Sequence, residues 1–262
     1  MIFAAAEPAP VSHPTIEIGS CGNWCTFNVD SLISSGLAIL VTIVFAIVIA
    51  RRLDPNRPGR LQGIMEWLFS YVRRNVNENS PDAASFVVPL AATIGFYILV
   101  ANWLDFIPIT VFQNLHPANT DLNQTLAMAI IVFFLLQWYN VRLRGWGGYF
   151  RYFVGDRPHG MSLPWRIAFV PLNLIEEIVK PLTLSMRLFG NIFAGLLMGY
   201  VIVLILGSIP VVGPWLLGPA FLAVWKLFDV GFIGLIQALI FMLLTIIYFG
   251  LAREGVEAEH AH

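Results

Sequence analysis

The sequence predicts an all-α integral membrane protein with about five membrane helices, an interfacial amphipathic helix and a long C-terminal helical hairpin. Three observations predict it. Hydrophobic residues fill 58% of the 262 positions and charged residues only 12%, whereas soluble domains carry about 25% charged residues. Apolar stretches long enough to cross roughly 30 Å of hydrocarbon recur along the chain. Arginines gather just beyond several of these stretches, as they do on the cytoplasmic side of a membrane. With a formal net charge of −1 there is no concentrated basic surface to neutralise phosphates, which argues against a nucleic-acid partner. Membrane lipid is the expected surrounding.

Residues 1–30 combine Pro, Ser, Gly and Asn with a few acids, and no Lys or Arg precedes Arg51. A secretory signal would carry a positive region ahead of its apolar core, so this stretch reads as a retained external segment. Cys21 and Cys25 are too few and too isolated for a zinc or iron–sulfur site. They form a small disulfide or stay as two thiols. Leu32 to Ala50 is the first spanning helix, and Arg51, Arg52, Arg57 and Arg60 after it set its C-terminal end in the cytoplasm.

Leu61, Ile64, Met65, Leu68, Val72 and Val76 recur at helical spacing opposite Gln62, Glu66, Ser70, Arg73, Arg74 and Asn77. That pattern predicts a helix lying on the cytoplasmic membrane surface, with a soluble partner-binding helix as the rival reading. Phe86 to Val111 spans next and carries Asn102 and Asp105 one turn apart near its far end. These two line a hydrated path, or Asp105 is simply a helix-end carboxylate among lipid headgroups. The following loop to Asp121 holds His116 but no Lys or Arg, as an external loop should. Gln124 to Val141 returns inward to Arg142 and Arg144, and Gly145 to Gly160 reads as a cytoplasmic interfacial loop or short helix in which His159 is an ordinary loop residue.

Arg166 to Leu206 is unusual. About 40 residues at a 1.5 Å rise would reach ~60 Å, twice the hydrocarbon thickness, so the segment must break or lie steeply tilted. Pro181 is a candidate kink. Gly207 to Pro219 reads as an external turn and Phe221 to Leu251 as the last long helix, followed by Arg253 at the cytoplasmic end. At about 100° per residue Lys226 and Gln237 nearly coincide in direction, with Asp229 about 80° away. Lys226 and Asp229 form an ion pair, or Asp229 serves a polar path. Residues 31–253 thus make a single transmembrane domain between the external segment and a cytoplasmic tail, 254–262.

Within the long segment, Asn173, Glu176, Glu177, Lys180, Thr183, Arg187 and Asn191 fall on one broad helical face. Glu176 and Glu177 can pair with Lys180 at helical spacing. Arg187 has no acidic neighbour three or four residues away. An Arg at the centre of a membrane helix costs roughly 2.5–3.5 kcal/mol, so it faces protein or water, and its counter-charge must come from another helix or chain.

The run TLSMRLFGNIFAG, preceded by EEIVKP and followed near the C-terminus by IQALIFMLLTIIYF, resembles subunit a of the rotary F-type ATP synthase. WKLFD before IQALIF is similar to the actinobacterial branch. The resemblance implies that residues 167–251 form a near-horizontal hairpin against a ring of c subunits, and that Gly190, Gly195 and Gly199 give the close surface for that ring. It implies Arg187 as the essential charge barrier facing the ring carboxylate. It also implies an external proton path through Asn102, Asp105, Asn191, Asp229 and Gln237, and a cytoplasmic one from Asn173, Glu176 and Glu177. Many members carry an ionisable residue nine positions after the Arg and another seven before the Gln. Leu196 and Val230 stand there in this chain, so Asp229 is the expected substitute. The implied partners are the c-ring, peripheral-stalk b-type subunits and the rest of the complex. The implied place is the plasma membrane, with an external N-terminus and a cytoplasmic C-terminus.

No GxxxxGK[ST] phosphate loop occurs, and no nucleophile constellation. No cofactor or metal is expected, and the chain is not expected to be an enzyme on its own. Protons are the expected ion, since nothing in the chain forms a sodium cage; the alternatives are the same role with sodium, or a stand-alone secondary transporter. A transporter should show two similar halves, and none is visible. An intramembrane enzyme using Glu176 and Glu177 lacks any supporting motif.

Overall fold

In the computed structural model the described residues are 15–17, 26–54, 59–104, 106, 118–154, 163–209 and 213–260. Two three-residue strands come first: β1 (Thr15–Glu17) pairs antiparallel with β2 (Thr26–Asn28). Neither strand was expected from the residue pattern of this segment. The longer elements among the described residues that follow are helices: α1 (Val29–Arg51), α2 (Arg60–Asn79), α3 (Ala84–Leu104), α4 (Leu122–Val154), α5 (Leu163–Gly207), α6 (Gly218–Phe228) and α7 (Gly234–His260). Wide π turns at Gly213–Leu217 and Asp229–Ile233 flank α6. Among the described residues five stretches are long and apolar enough to cross a membrane: Val29–Arg51, Pro81–Leu104, Leu122–Arg151, Val170–Gly207 and Trp215–Arg253. The protein is an all-α, multi-pass membrane protein.

The helix ends differ from the expected ones for physical reasons. A short 3₁₀ turn, Pro81–Ala83, leads into α3, because a proline is tolerated where its missing N–H would be unbonded anyway. The external turn expected up to Pro219 is shorter, since helical structure resumes at Gly213. Helix α7 runs on through most of the expected tail to His260. The 45-residue α5 is helical throughout, with Pro171 and Pro181 inside it. In α4 the backbone leaves helical geometry at Gly145, at φ 68 and ψ 168, a region essentially reserved for glycine.

The chain forms two compact units. One comprises Met1–Val48, Phe96–Gln124 and Leu188–Ala238. In it Ser35 donates to Gln124 at 2.7 Å and Gln124 to the Tyr97 hydroxyl at 2.8 Å, while Phe45 stacks on Phe96. Asp121 accepts from Asn28 at 2.8 Å and caps the first turn of α4 through the Asn123 N–H.

The other unit comprises Ile49–Gly95, Thr125–Arg187 and Leu239–His262. Its core is apolar: Val72 and Val76 of α2, Val87 of α3, Leu136 of α4 and Ile246 and Phe249 of α7 pack together. The α2 stripe is therefore split, with Val72 and Val76 buried and Leu61, Ile64 and Trp67 exposed. That division suits an amphipathic helix held between protein and an apolar surround. Gly250 lets α7 approach α2, since a Cβ there would lie 2.9 Å from the Asn79 Cβ.

Candidate functional site

Among the residues that helix α5 buries, Glu177, Leu184, Leu188, Gly195 and Gly199 are spaced seven and four residues alternately, the rhythm of a helix packing ridge, with Ser185 buried beside it. Asn173, Lys180, Arg187 and Asn191 run along one edge of that ridge at about 40–80° from it. The two glutamates separate: Glu177 is buried and Glu176 exposed. Asn173 is half-buried. Arg187 is exposed, and no hydrogen-bond or ion-pair partner for it is found among the described residues.

The glycines correct an expectation. Gly195 and Gly199 do not offer their surface outward; they are buried against α6, where the Leu222 side chain reaches within 3.4 Å of a Cβ placed on Gly199. A Cβ on Gly195 would lie 2.2 Å from Asp229 Oδ2. The Trp225 indole donates to the Gly195 carbonyl at 3.0 Å. Gly195 is thus where α5 receives both an indole and a carboxylate from the following helix. Of these three glycines, Gly190 has open space where a Cβ would stand.

Polar groups of this unit converge on a small cavity. Asn102, Asn191, Asp229 and Gln237 line it together with Ala101, Ile192, Val230, Ile233 and Gly234, and its volume is about 20 Å³, enough for a water. Asn191 donates to Gln237 Oε1 at 2.6 Å. Asn102 Nδ2 donates to the Gly234 carbonyl at 3.2 Å, and Asn102 Oδ1 accepts from Asn119 Nδ2 at 2.9 Å. Four of the five residues expected on the external path therefore share one cavity. Asp105 lies outside the described residues, as do Cys21, Cys25, His116 and His159.

Asp229 reaches this cavity because of the π turn that it starts. Such a turn absorbs one extra residue, so Asp229 and Gln237 come within about 20° of each other instead of about 80°, and Lys226 is displaced by a similar amount. The near-coincidence of Lys226 with Gln237 expected from a regular helix is accordingly overturned: Lys226 is half-buried and does not line the cavity. An ionisable residue eight positions before the Gln, with one position absorbed, points where one seven positions before would.

Asn119 was not foreseen. It is 1% exposed, and its Oδ1 has no partner among the described residues. Its signal in the sequence, an amide two residues before an acid in a polar loop, is too common to single out.

In the other unit a second polar string has formed. Glu177 pairs with Lys180 through Oε1 and accepts from Gln137 Nε2 at 2.9 Å through Oε2. The Tyr149 hydroxyl donates to Gln137 Oε1 at 3.1 Å. Neither Gln137 nor Tyr149 stood out in the sequence.

Residues 32–250 match the family described as ATP synthase A chain. Among similar proteins, all named ATP synthase subunit a, that of Acidothermus cellulolyticus is 35% identical over 241 residues, 90% of this chain and 82% of its own. That of Mycobacterium ulcerans is 35% identical over 265 residues, 96% of this chain and 99% of its own. That of Alkalilimnicola ehrlichii is 36% identical over 259 residues, 94% of this chain and 96% of its own. Actinobacteria are thus among the similar proteins.

Proposed function

Because the chain belongs to the family of subunit a of the F-type ATP synthase, and so is a multi-pass component of that complex's membrane sector, we propose that it is the proton-conducting stator against which the c-ring turns. A rotor must carry a neutral carboxyl past lipid yet exchange its proton with two aqueous phases that are not connected. The stator then needs two offset half-channels and a barrier between them. A guanidinium suits the barrier: it keeps its charge at any working pH, attracts a deprotonated rotor carboxylate and repels an incoming cation.

The observation that carries this reading is Arg187, exposed on α5 and without a partner among the described residues. A charge of that kind in an apolar helix requires a counter-charge from elsewhere, and the ring carboxylate supplies it. The external half-channel comprises Asn102, Asp105, Asn191, Asp229 and Gln237, supported by the shared cavity of four of them. The cytoplasmic half-channel starts from Asn173, Glu176 and Glu177. Hydrated amides and isolated carboxylates suffice for protons, whereas a sodium site needs several convergent oxygens. Each charge falling through 100 mV releases about 2.3 kcal/mol, which drives rotation while nucleotide chemistry proceeds on other subunits. The chain lies in the plasma membrane and touches the c-ring and the b-type stalk subunits.

Arg187→Ala tests the reading. The complex should still assemble, measured by co-purification of the ring and soluble subunits, but ion-driven ATP synthesis in membrane vesicles should vanish. Arg187→Lys should also fail, since a desolvated ammonium can lose its proton and lacks the planar fork. Synthesis at the wild-type rate in the alanine variant sinks the proposal.

A further inference from the structure

The two adjacent glutamates of α5 have opposite surroundings. Glu177 is 4% exposed and both its oxygens are engaged, Oε1 by Lys180 and Oε2 by Gln137. Glu176 is exposed. Gln137 is itself oriented. Its amide donates to Glu177 and its carbonyl accepts from the Tyr149 hydroxyl at 3.1 Å, so neither end can flip without losing a bond. Tyr149 lies twelve residues beyond Gln137, which on a straight helix would separate them by about 18 Å. They meet only because the chain turns back at Gly145, whose φ of 68 suits a residue without a Cβ.

We propose that the pair divides the work of the cytoplasmic side: Glu177 is a fixed anchor, positioned by Gln137 and Tyr149, and Glu176 is the carboxylate that exchanges protons with water. The inference rests on the reading of α5 as the helix that carries the cytoplasmic half-channel. A carboxylate held by a cation and an amide donor has both oxygens committed to charge-assisted bonds, and releasing it to take up and pass on protons would break them at every turnover. Glu176 has no such commitments among the described residues. Gln137 and Tyr149 are therefore positioning residues, and the turn at Gly145 is what brings the second of them into place.

The test uses the whole complex in inverted membrane vesicles, with Cys21 and Cys25 replaced by serine. Glu176→Cys and Glu177→Cys are each treated with an impermeant cationic methanethiosulfonate from the cytoplasmic side. Position 176 should react about tenfold faster than 177, because only a water-exposed thiol ionises readily. The reverse order overturns the proposal. Passive proton flux through vesicles stripped of the soluble head gives a second reading. Glu177→Gln and Gln137→Leu should each lower flux, and the double variant should be no worse than the worse single one. Tyr149→Phe, which removes only a hydroxyl, should add nothing to Glu177→Gln and gives the same test where Gln137→Leu fails to assemble. Effects that multiply overturn the anchor role. Full ATP synthesis by Arg187→Ala would instead overturn the underlying reading, whatever the labelling order.

Discussion

Asn191 donates its side-chain amide to Gln237 Oε1 at 2.6 Å, joining the middle of α5 to the first turn of α7. Gln237 is 2% exposed whereas Asn191 is exposed, so removing Asn191 leaves the buried Gln237 amide short of a bond, at about 1–3 kcal/mol, and removing Gln237 loses the bond itself. Gln237→Leu and Asn191→Leu should each lower the thermal stability of the solubilised complex and slow passive proton flux several-fold. The double variant should be less harmful than the sum of the two, since the orphaned partner is removed with it. Thermal unfolding and flux measured on all three check this.

Gly195→Ala should be disruptive out of proportion to one methyl group. The new Cβ would fall 2.2 Å from Asp229 Oδ2 and 2.6 Å from its Cγ, so the carboxylate or the helix must shift, at about 1–3 kcal/mol. Passive flux should fall while the ring still co-purifies, and Asp229→Asn should give a similar loss with no steric component. Gly36→Ala in α1, with nothing within 4 Å of its Cβ, is the control and should leave flux and assembly unchanged.

Most of the fold was legible because lipid imposes a strong constraint: a spanning segment must be apolar, long and internally hydrogen-bonded. Arg51, Arg142 and Arg253 closed three spans in the sequence; Arg51 and Arg253 end membrane-crossing stretches in the structure, whereas Arg142 lies inside one that runs on to Arg151. Hidden features were those set by local backbone choices. Nothing about Asp229 announces a π turn, although Gly231 and Gly234 nearby relax the helix, and so its alignment with Gln237 was miscounted. Gly145 hid the return of Tyr149 towards Gln137. Gly195 and Gly199 were visible as close-approach residues, but a glycine states only that something comes near, and here it is α6.

Topology offers an independent check. The arginines at 51–60 and 142–157 and Arg253 predict an external N-terminus and a cytoplasmic C-terminus. A cysteine engineered at Ala258, in a chain whose native cysteines are serine, should react with an impermeant reagent in inverted vesicles and stay unlabelled in intact cells. Labelling from outside intact cells reverses the assignment.

The wide turn at Asp229–Ile233 also changes how this chain should be compared with its relatives. Alignments match residues by column, whereas a helix presents them by direction around its axis, and a π turn shifts one against the other by a single place. By column, Val230 stands where the family resemblance leads one to expect an ionisable side chain, and the chain looks deficient; by direction, Asp229 points where a residue seven positions before Gln237 would. The extra residue then behaves as a neutral insertion that the helix has absorbed. Deleting Gly231, which is exposed and has nothing within 4 Å of its Cβ, should convert the turn to regular helix and leave Asp229 aligned with Gln237. Such a one-residue deletion in a membrane helix should retain most of the passive proton flux, whereas an alanine inserted after Gly231 should swing Gln237 by about 100° and abolish it.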